Sequence, residues 1–302
     1  MQTELPTAPL DEIEAIFDDF LQVSRGEQPE RSYPEGLQRL AYKDPQLGRN
    51  GASGDVKRMF DLNPKRLAKL GPLSELEPPP LRAVGLFWEQ VLCASRIIFT
   101  PACCRHRLRI HARRQVAAGV PKLLRALEVA SGSADMPRDD KYDFRMVDYY
   151  EIDRCSESEA AAATVQRRCR EHRDFGTLSL IFSRVDGLEA LVNDQWRPIP
   201  PPPAGAAVLL FGWVAQIRSN GRLSACLHRV GDAPRNEEGR TTRRASAVLF
   251  AAPQDLQEPL EPVVREGEQR RYIAGVSAEA QQMYAAGAPP PMPGLAMRPT
   301  AR

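Results

Sequence analysis

The sequence lacks an excess of charge of either sign. Its 302 residues include 41 Lys and Arg against 39 Asp and Glu, which leaves a formal net charge of +2. A protein that holds nucleic acid or an anionic membrane through its overall field needs a clear positive excess. We therefore expect neither nucleic acid nor a membrane among its partners.

Long apolar runs are also missing. The longest apolar window, residues 204–217, is interrupted by Gly205 and Gly212, and it is shorter than the roughly 20 residues that cross a bilayer. The first residues are acidic, unlike the basic and then apolar start of a secretory signal. We predict a cytoplasmic protein whose six cysteines are free thiols. None of them has CxxC spacing, so a structural zinc site is not expected.

Proline, by contrast, is abundant, with 27 residues that interrupt helices and strands. Between the interruptions, the first part of the chain shows helical periodicity. An apolar stripe starting at Ile13 and Ile16 predicts a helix that ends near Leu21, and further helices are predicted at 81–99 and 121–130. We assign residues 1–141 to a largely helical flanking region.

From about residue 142 the pattern changes to short runs of β-branched, aromatic and aliphatic residues between turn residues. The runs predicted to be strands are 144–152, 177–182, 188–192, 196–199, 206–213, 225–230 and 245–251. Short strands at this spacing are typical of a sandwich or barrel. The predicted fold is mainly β with a helical flank. Its β domain spans 142–264, and 265–302 form a C-terminal helix or tail whose last part is disordered.

Only four histidines occur, and two of them stand in an informative setting. His172 and Asp174 are separated by one residue, so on an extended backbone their side chains leave from the same face. His228 lies on a later predicted strand, which a sandwich can fold back beside this pair. Two histidines and a carboxylate form the triad that binds non-haem Fe(II). An HxD pair alone is more often a surface ion pair.

A second pair with the same spacing follows on the last predicted strand. Arg244 and Ser246 share one face of that strand, where a guanidinium and a hydroxyl can bind a carboxylate. Arg243 points to the other side, and we interpret it as a solvated charge.

Residues 171–252 resemble the iron(II)- and 2-oxoglutarate-dependent dioxygenases of the isopenicillin N synthase-like superfamily. The matching segments are HRDFGTLSLIF, GLEALVNDQWRPIPPPPAGAAVLLFGWVAQIRSNGR, LHRV and RRASAVLF. The resemblance implies a double-stranded β-helix, or jelly roll. It implies Fe(II) bound by His172, Asp174 and His228, and 2-oxoglutarate bound by Arg244 and Ser246. O2 is then the second cosubstrate and ascorbate the reductant.

Two upstream segments are similar to the same family. RMVDYYE at 145–151 resembles the family's LRLNYYP strand, whose second tyrosine contacts cosubstrate or substrate, which implies this role for Tyr150. GDVKRMFDLNP at 54–64 resembles the family's substrate-region loop. The family's first two strands are not visible, and a sheet without them leaves an open edge through which the protein could self-associate.

The activity implied by the resemblance is oxidation, by default hydroxylation, of a C–H bond in a small organic molecule, with release of succinate and CO2. Two alternatives stay open at this point. The chain could be a catalytically silent jelly-roll binding protein, or an oxygenase of the family that does not use 2-oxoglutarate.

Overall fold

The structure is a computed structural model. It describes residues 5–24, 42–43, 57–63, 69, 79–99, 141–151, 168–231, 237, 240–253, 259–272 and 274–277. The helix predicted at 121–130 and the C-terminal tail lie outside these residues. Within the described part of the chain, no helix is both long and apolar enough to cross a membrane.

Two antiparallel sheets form the body of the fold, as the mainly β prediction required. In order across the larger sheet, the strands are β1 (Tyr42–Lys43), β2 (Arg58–Leu62), β3 (Lys141–Tyr149), β10 (Arg244–Ala252), β5 (Leu178–Ser183) and β8 (Val208–Phe211). The smaller sheet contains β4 (Cys169–His172), β9 (His228–Val230), β6 (Leu188–Val192) and β7 (Gln195–Pro198). A separate short pair joins β11 (Pro259–Leu260) and β12 (Val276–Ser277). The chain passes repeatedly from one sheet to the other, for example between β5 and β6.

Helices α1 (Leu10–Ser24) and α2 (Pro79–Phe99) confirm the two predicted helices within the described residues. Both belong to the core that covers one face of the larger sheet. Phe17 of α1 packs on Phe60 of β2, and Trp88 of α2 packs on Phe144 of β3. This leaves the other face of the larger sheet turned towards the smaller one.

The segments at 54–64 and 206–213 differ from their predicted conformation. The segment at 54–64, interpreted as a loop, contains β2, because Phe60 and Leu62 are fully buried under the helices while its backbone pairs with β3. The strand predicted at 206–213 ends at Phe211, and a short helix α3 (Trp213–Arg218) follows. The backbone N–H of Trp213 donates to the Asp174 carbonyl, 3.0 Å away, which takes this residue out of the β8 ladder.

Candidate metal and cosubstrate site

The smaller sheet brings the three predicted metal ligands together. His172 ends β4 and His228 begins β9, and the two residues are directly paired across these strands. Asp174 follows two residues after His172, and the candidate ligand atoms of all three side chains lie within 4.8 Å of one another. The Nε2 atoms of His172 and His228 are 3.7 Å and 3.9 Å from the Asp174 carboxylate.

Backbone contacts orient both imidazoles in the same way. Nδ1 of His172 lies 2.8 Å from the Arg170 carbonyl oxygen, and Nδ1 of His228 lies 3.0 Å from that of Cys226. A carbonyl can only accept, so each Nδ1 carries a proton and each Nε2 faces the Asp174 carboxylate. Burial lowers the pKa of His228, which favours the neutral form that binds a metal. Burial also acts to lower the pKa of His172, but the contact of its ring with Cys169 raises this pKa to about 9, so a metal must displace a proton from His172.

Asp174 is held from two sides. The buried hydroxyl of Ser179 on β5 donates a short hydrogen bond to its carboxylate. The Asp174 carbonyl lies against Gly212, where an added Cβ would stand 2.7 Å from it and 2.2 Å from the Gly176 carbonyl oxygen. The loop that carries Asp174 therefore packs on the turn after β8 at a distance that only glycine allows.

The three side chains open into a cleft of about 580 Å³ between the two sheets, part of it open to solvent. The larger sheet supplies the opposite wall. Arg244 and Ser246 line this wall, as their shared strand face predicted. Apolar side chains from both sheets also line the cleft, among them Ile181 and Val248 of the larger sheet and Leu188 of the smaller one.

Arg244 is a buried cation, with 2% of the residue exposed. Its Nη1 donates to Ser246 Oγ at 2.5 Å, and its Nε donates to the Val185 carbonyl at 3.2 Å. The guanidinium also lies 5.3 Å from the centre of the Tyr149 ring. No carboxylate among the described residues forms an ion pair with it, and burial lowers its pKa. A buried guanidinium whose hydrogen-bond partners are a hydroxyl and a carbonyl fits an anionic ligand such as the far carboxylate of 2-oxoglutarate.

Tyr149, not Tyr150, is the tyrosine that lines this cleft. The ring of Tyr150 instead lies near Arg58, 5.4 Å from its guanidinium carbon. Strand alternation explains the difference, because neighbouring residues of β3 face opposite sides of the sheet. The similarity to LRLNYYP gave no signal for this assignment, because it aligns Asp148 with the family's asparagine and therefore Tyr150 with the second tyrosine. Burial raises the pKa of Tyr149 to about 12, so its hydroxyl stays protonated and can donate a hydrogen bond.

The interpretation of Arg243 as a solvated charge is wrong. Its side chain does point away from the cleft, but it donates to Asp148 through Nε at 2.8 Å and through Nη2 at 3.1 Å. A third hydrogen bond, 3.0 Å long, joins Nη1 to Asp18 of α1. The sequence concealed this contact because Asp18, Asp148 and Arg243 are far apart along the chain.

A lysine and a cysteine at the cleft were not predicted. Nζ of Lys57 lies 3.1 Å from Sγ of Cys169, which itself lies 4.0 Å from Nδ1 of His172. Neither residue forms part of a motif that could have identified it.

Fold and site together define a class of protein. A donor set of two imidazoles and one carboxylate at one side of a cleft between antiparallel sheets matches the ligand set of mononuclear non-haem Fe(II) oxygenases. The buried Arg244 on the facing wall adds a place for an acidic cosubstrate.

The comparison with protein families gives the same result. Residues 142–253 match the model of the 2OG-Fe(II) oxygenase superfamily. Gibberellin 20 oxidase 2 of Oryza sativa subsp. indica is 40% identical over 76 residues, which are 25% of this chain and 18% of the relative. Scopoletin 8-hydroxylase of Arabidopsis thaliana is 36% identical over 110 residues, or 33% of this chain and 28% of the relative. The chain thus matches less than a third of the length of either.

Solved structures extend the likeness over most of the fold. The dioxygenase for auxin oxidation (DAO) in rice has a TM-score of 0.59 and 20% identity, with 92% of this chain and 80% of that chain covered. Full-length Neurospora crassa T7H in complex with alpha-KG has a TM-score of 0.57 and 17% identity, with the same coverages. At this identity the likeness concerns the fold alone, and it agrees with the double-stranded β-helix expected from the sequence.

Proposed function

We propose that this protein is an Fe(II)- and 2-oxoglutarate-dependent oxygenase that hydroxylates a C–H bond of a small organic molecule. In the balanced reaction, the substrate, 2-oxoglutarate and O2 become the hydroxylated product, succinate and CO2. Bound Fe(II) and 2-oxoglutarate supply the dioxygen chemistry, with ascorbate as the reductant that keeps the iron in its ferrous state. All other contributions come from the residues of the cleft.

One observation carries the proposal: both halves of the required site face the same cleft. His172, Asp174 and His228 lie on one side, and Arg244 with Ser246 lies on the other. A metal triad alone would also suit a hydrolytic or silent site. The buried, carboxylate-free Arg244 is the feature that makes an acidic cosubstrate necessary.

Each group has a role that its surroundings support. The two Nε2 atoms and the Asp174 carboxylate would hold the metal. The guanidinium of Arg244 and the hydroxyl of Ser246 bind the far carboxylate of the cosubstrate, and Tyr149 donates a further hydrogen bond from the same wall. Ile181, Leu188 and Val248 keep water from the reacting atoms, which strengthens these contacts.

The proposal is tested by succinate formation. Purified protein with Fe(II), ascorbate and 2-oxoglutarate is screened against a library of small metabolites, with Asp174→Ala as the matched inactive variant. We expect at least one compound to stimulate succinate release by the wild type and none by the variant. Equal release by both proteins would contradict the proposal.

The same screen separates the two alternatives. A silent binding protein would retain metal and 2-oxoglutarate without forming succinate in the presence of any compound. An oxygenase of the family that does not use 2-oxoglutarate would oxidise its substrate equally well when 2-oxoglutarate is omitted.

Three further properties of the protein stay predictions. They are the division at residues 141 and 264, a cytoplasmic location, and self-association through a sheet edge. Tyr42–Lys43, the two-residue strand β1, is the element to test for self-association, because it lies at one end of the larger sheet.

A further inference from the structure

Three neighbouring strands of the larger sheet carry the cosubstrate wall, and each has two chemically different faces. On the cleft side lie Lys57 just before β2, Met59 of β2, Tyr149 of β3, and Arg244 and Ser246 of β10. Residues next to these in sequence face the helices instead. Near the same end of the three strands, the helix-facing residues are charged: Arg58, Asp148 and Arg243.

These helix-facing charges form a closed cluster around Asp148, which is fully buried. Arg58 is paired with Asp148 across β2 and β3 and donates a short hydrogen bond to its carboxylate. Arg243 donates to both carboxylate oxygens from the other side, at 2.8 Å and 3.1 Å. One carboxylate thus joins three strands through their side chains as well as their backbones.

The cluster also attaches helix α1. Nη1 of Arg58 reaches the Phe17 carbonyl at 3.4 Å, and Nη2 of Arg243 reaches that of Glu14 at 3.1 Å. Arg243 further pairs with Asp18. Both arginines therefore bridge Asp148 and the same helix, so moving one partner moves the others.

We propose that Asp148 is a positioning residue for the cosubstrate wall, an inference that rests on the proposed function. Asp148 immediately precedes Tyr149, and its partner Arg243 immediately precedes Arg244. Tyr149 and Arg244 are themselves paired across β3 and β10. Fixing the carboxylate between two arginines therefore fixes the backbone that sets the height of the Arg244 guanidinium in the cleft. The metal ligands are not tied to this cluster, because they lie on β4, on β9 and in the loop after β4.

The test is a pair of binding measurements on Asp148→Asn, which keeps the shape of the side chain and removes its charge. Titration of 2-oxoglutarate into anaerobic Fe(II)-loaded protein should show about tenfold weaker binding. Fe(II) affinity, measured separately, should equal that of the wild type. In turnover, the change should appear in KM for 2-oxoglutarate and not in kcat.

Asp11→Asn is the matched control. Like the cluster around Asp148, Asp11 attaches helix α1 to the larger sheet, because Arg184, directly after β5, donates to its carboxylate through Nη1 at 3.0 Å. Neither Asp11 nor Arg184 lines the cleft, so loss of this pair should leave 2-oxoglutarate affinity unchanged. If Asp148→Asn does not fold, Arg243→Lys replaces it, since lysine keeps the charge but cannot contact both carboxylate oxygens and Asp18.

The outcomes are distinct. Wild-type protein that binds no 2-oxoglutarate overturns the proposed function and this inference together. Wild-type protein that binds it, with unchanged affinity in Asp148→Asn or its substitute, overturns only the positioning role. An equal loss of 2-oxoglutarate affinity in Asp11→Asn would also overturn it, because the effect would then be one of the general attachment of α1 to the sheet.

Discussion

At the scale of single residues, the candidate metal site depends on side chains that are oriented by hydrogen bonds to nearby residues. Each candidate imidazole is fixed by a carbonyl oxygen two residues earlier, and Asp174 is fixed by Ser179. Such supporting contacts hold ligand atoms in place before a metal arrives.

Replacing His228 by alanine removes one ligand atom of three. Because loss of a supporting residue already costs ten- to hundredfold in metal affinity, we expect the loss of a ligand to cost more than roughly a hundredfold. Equilibrium titration with Fe(II) under anaerobic conditions measures it. Arg229→Lys is the control, since this neighbour pairs with Glu189 on β6. Wild-type affinity in His228→Ala would mean that the metal lies elsewhere.

Ser179→Ala tests the supporting contact itself. The variant keeps all three ligands but leaves the buried Asp174 carboxylate without its hydroxyl donor, so we expect Fe(II) affinity to fall by about ten- to hundredfold. Ser183→Ala, on the same strand, removes a hydroxyl that bonds to backbone carbonyls and should leave metal affinity unchanged. Equal effects of the two variants would contradict the assigned role of Ser179.

Arg244→Lys keeps the positive charge and loses the planar fork that contacts a carboxylate through two N–H groups. Charge-assisted hydrogen bonds contribute roughly 1.5–3 kcal/mol, so 2-oxoglutarate affinity should fall by about ten- to a hundredfold while Fe(II) affinity stays. Arg184→Lys, at an exposed pair with Asp11, is the control. Unaltered 2-oxoglutarate binding by Arg244→Lys would remove this arginine from the site.

At the scale of secondary-structure elements, the site depends on the packing of two turns. Gly212 has an ordinary extended backbone, with φ −104°, so its importance is steric. Gly212→Ala would drive a Cβ into two carbonyl oxygens of the Asp174 loop, and such overpacking costs about 1–3 kcal/mol. Urea denaturation and Fe(II) titration should both show the loss.

Gly231→Ala is the matched variant for that experiment. Its Cβ would first meet the end of the flexible Glu189 side chain, at 3.0 Å, which can move aside. We expect near wild-type stability and metal affinity. A Gly212→Ala protein as stable as Gly231→Ala would show that the turn after β8 is not constrained as described.

Much of the fold could be predicted from local pattern. The helices α1 and α2 and the strands β5, β6 and β10 were found within a few residues, because apolar side chains repeat at helical or strand spacing where one face is buried. β2 was missed because residues 54–64 were assigned to a loop from their similarity to the family. Its conformation comes from pairing with β3, which is distant in sequence.

Some residues of the candidate site could likewise be predicted from the sequence, and others could not. His172, Asp174, Arg244 and Ser246 were predictable because each pair is separated by one residue on extended backbone and lies in a segment that resembles a known family. Tyr150 was assigned instead of Tyr149 because similarity to the family, and not the alternation of side chains along β3, decided which tyrosine faces the cleft. The partners of Arg243 lie across three elements, and local sequence carries no information about such contacts.

At the scale of the whole molecule, two sheets enclose one candidate site. The metal triad belongs to the smaller sheet and its following loop, and the cosubstrate wall belongs to the larger one. A ligand held by both sides should bind better when both are complete, so the metal and 2-oxoglutarate should each increase the affinity for the other.

The most direct test is a titration of 2-oxoglutarate into anaerobic protein with and without Fe(II), repeated for Asp174→Ala and Arg244→Lys. We predict that the wild type binds one 2-oxoglutarate per chain and binds it more tightly with Fe(II). In Asp174→Ala the effect of Fe(II) should disappear, and in Arg244→Lys the binding should weaken in both conditions. Affinity in the wild type that does not depend on Fe(II), or that neither substitution changes, would contradict a single site shared by the two sheets.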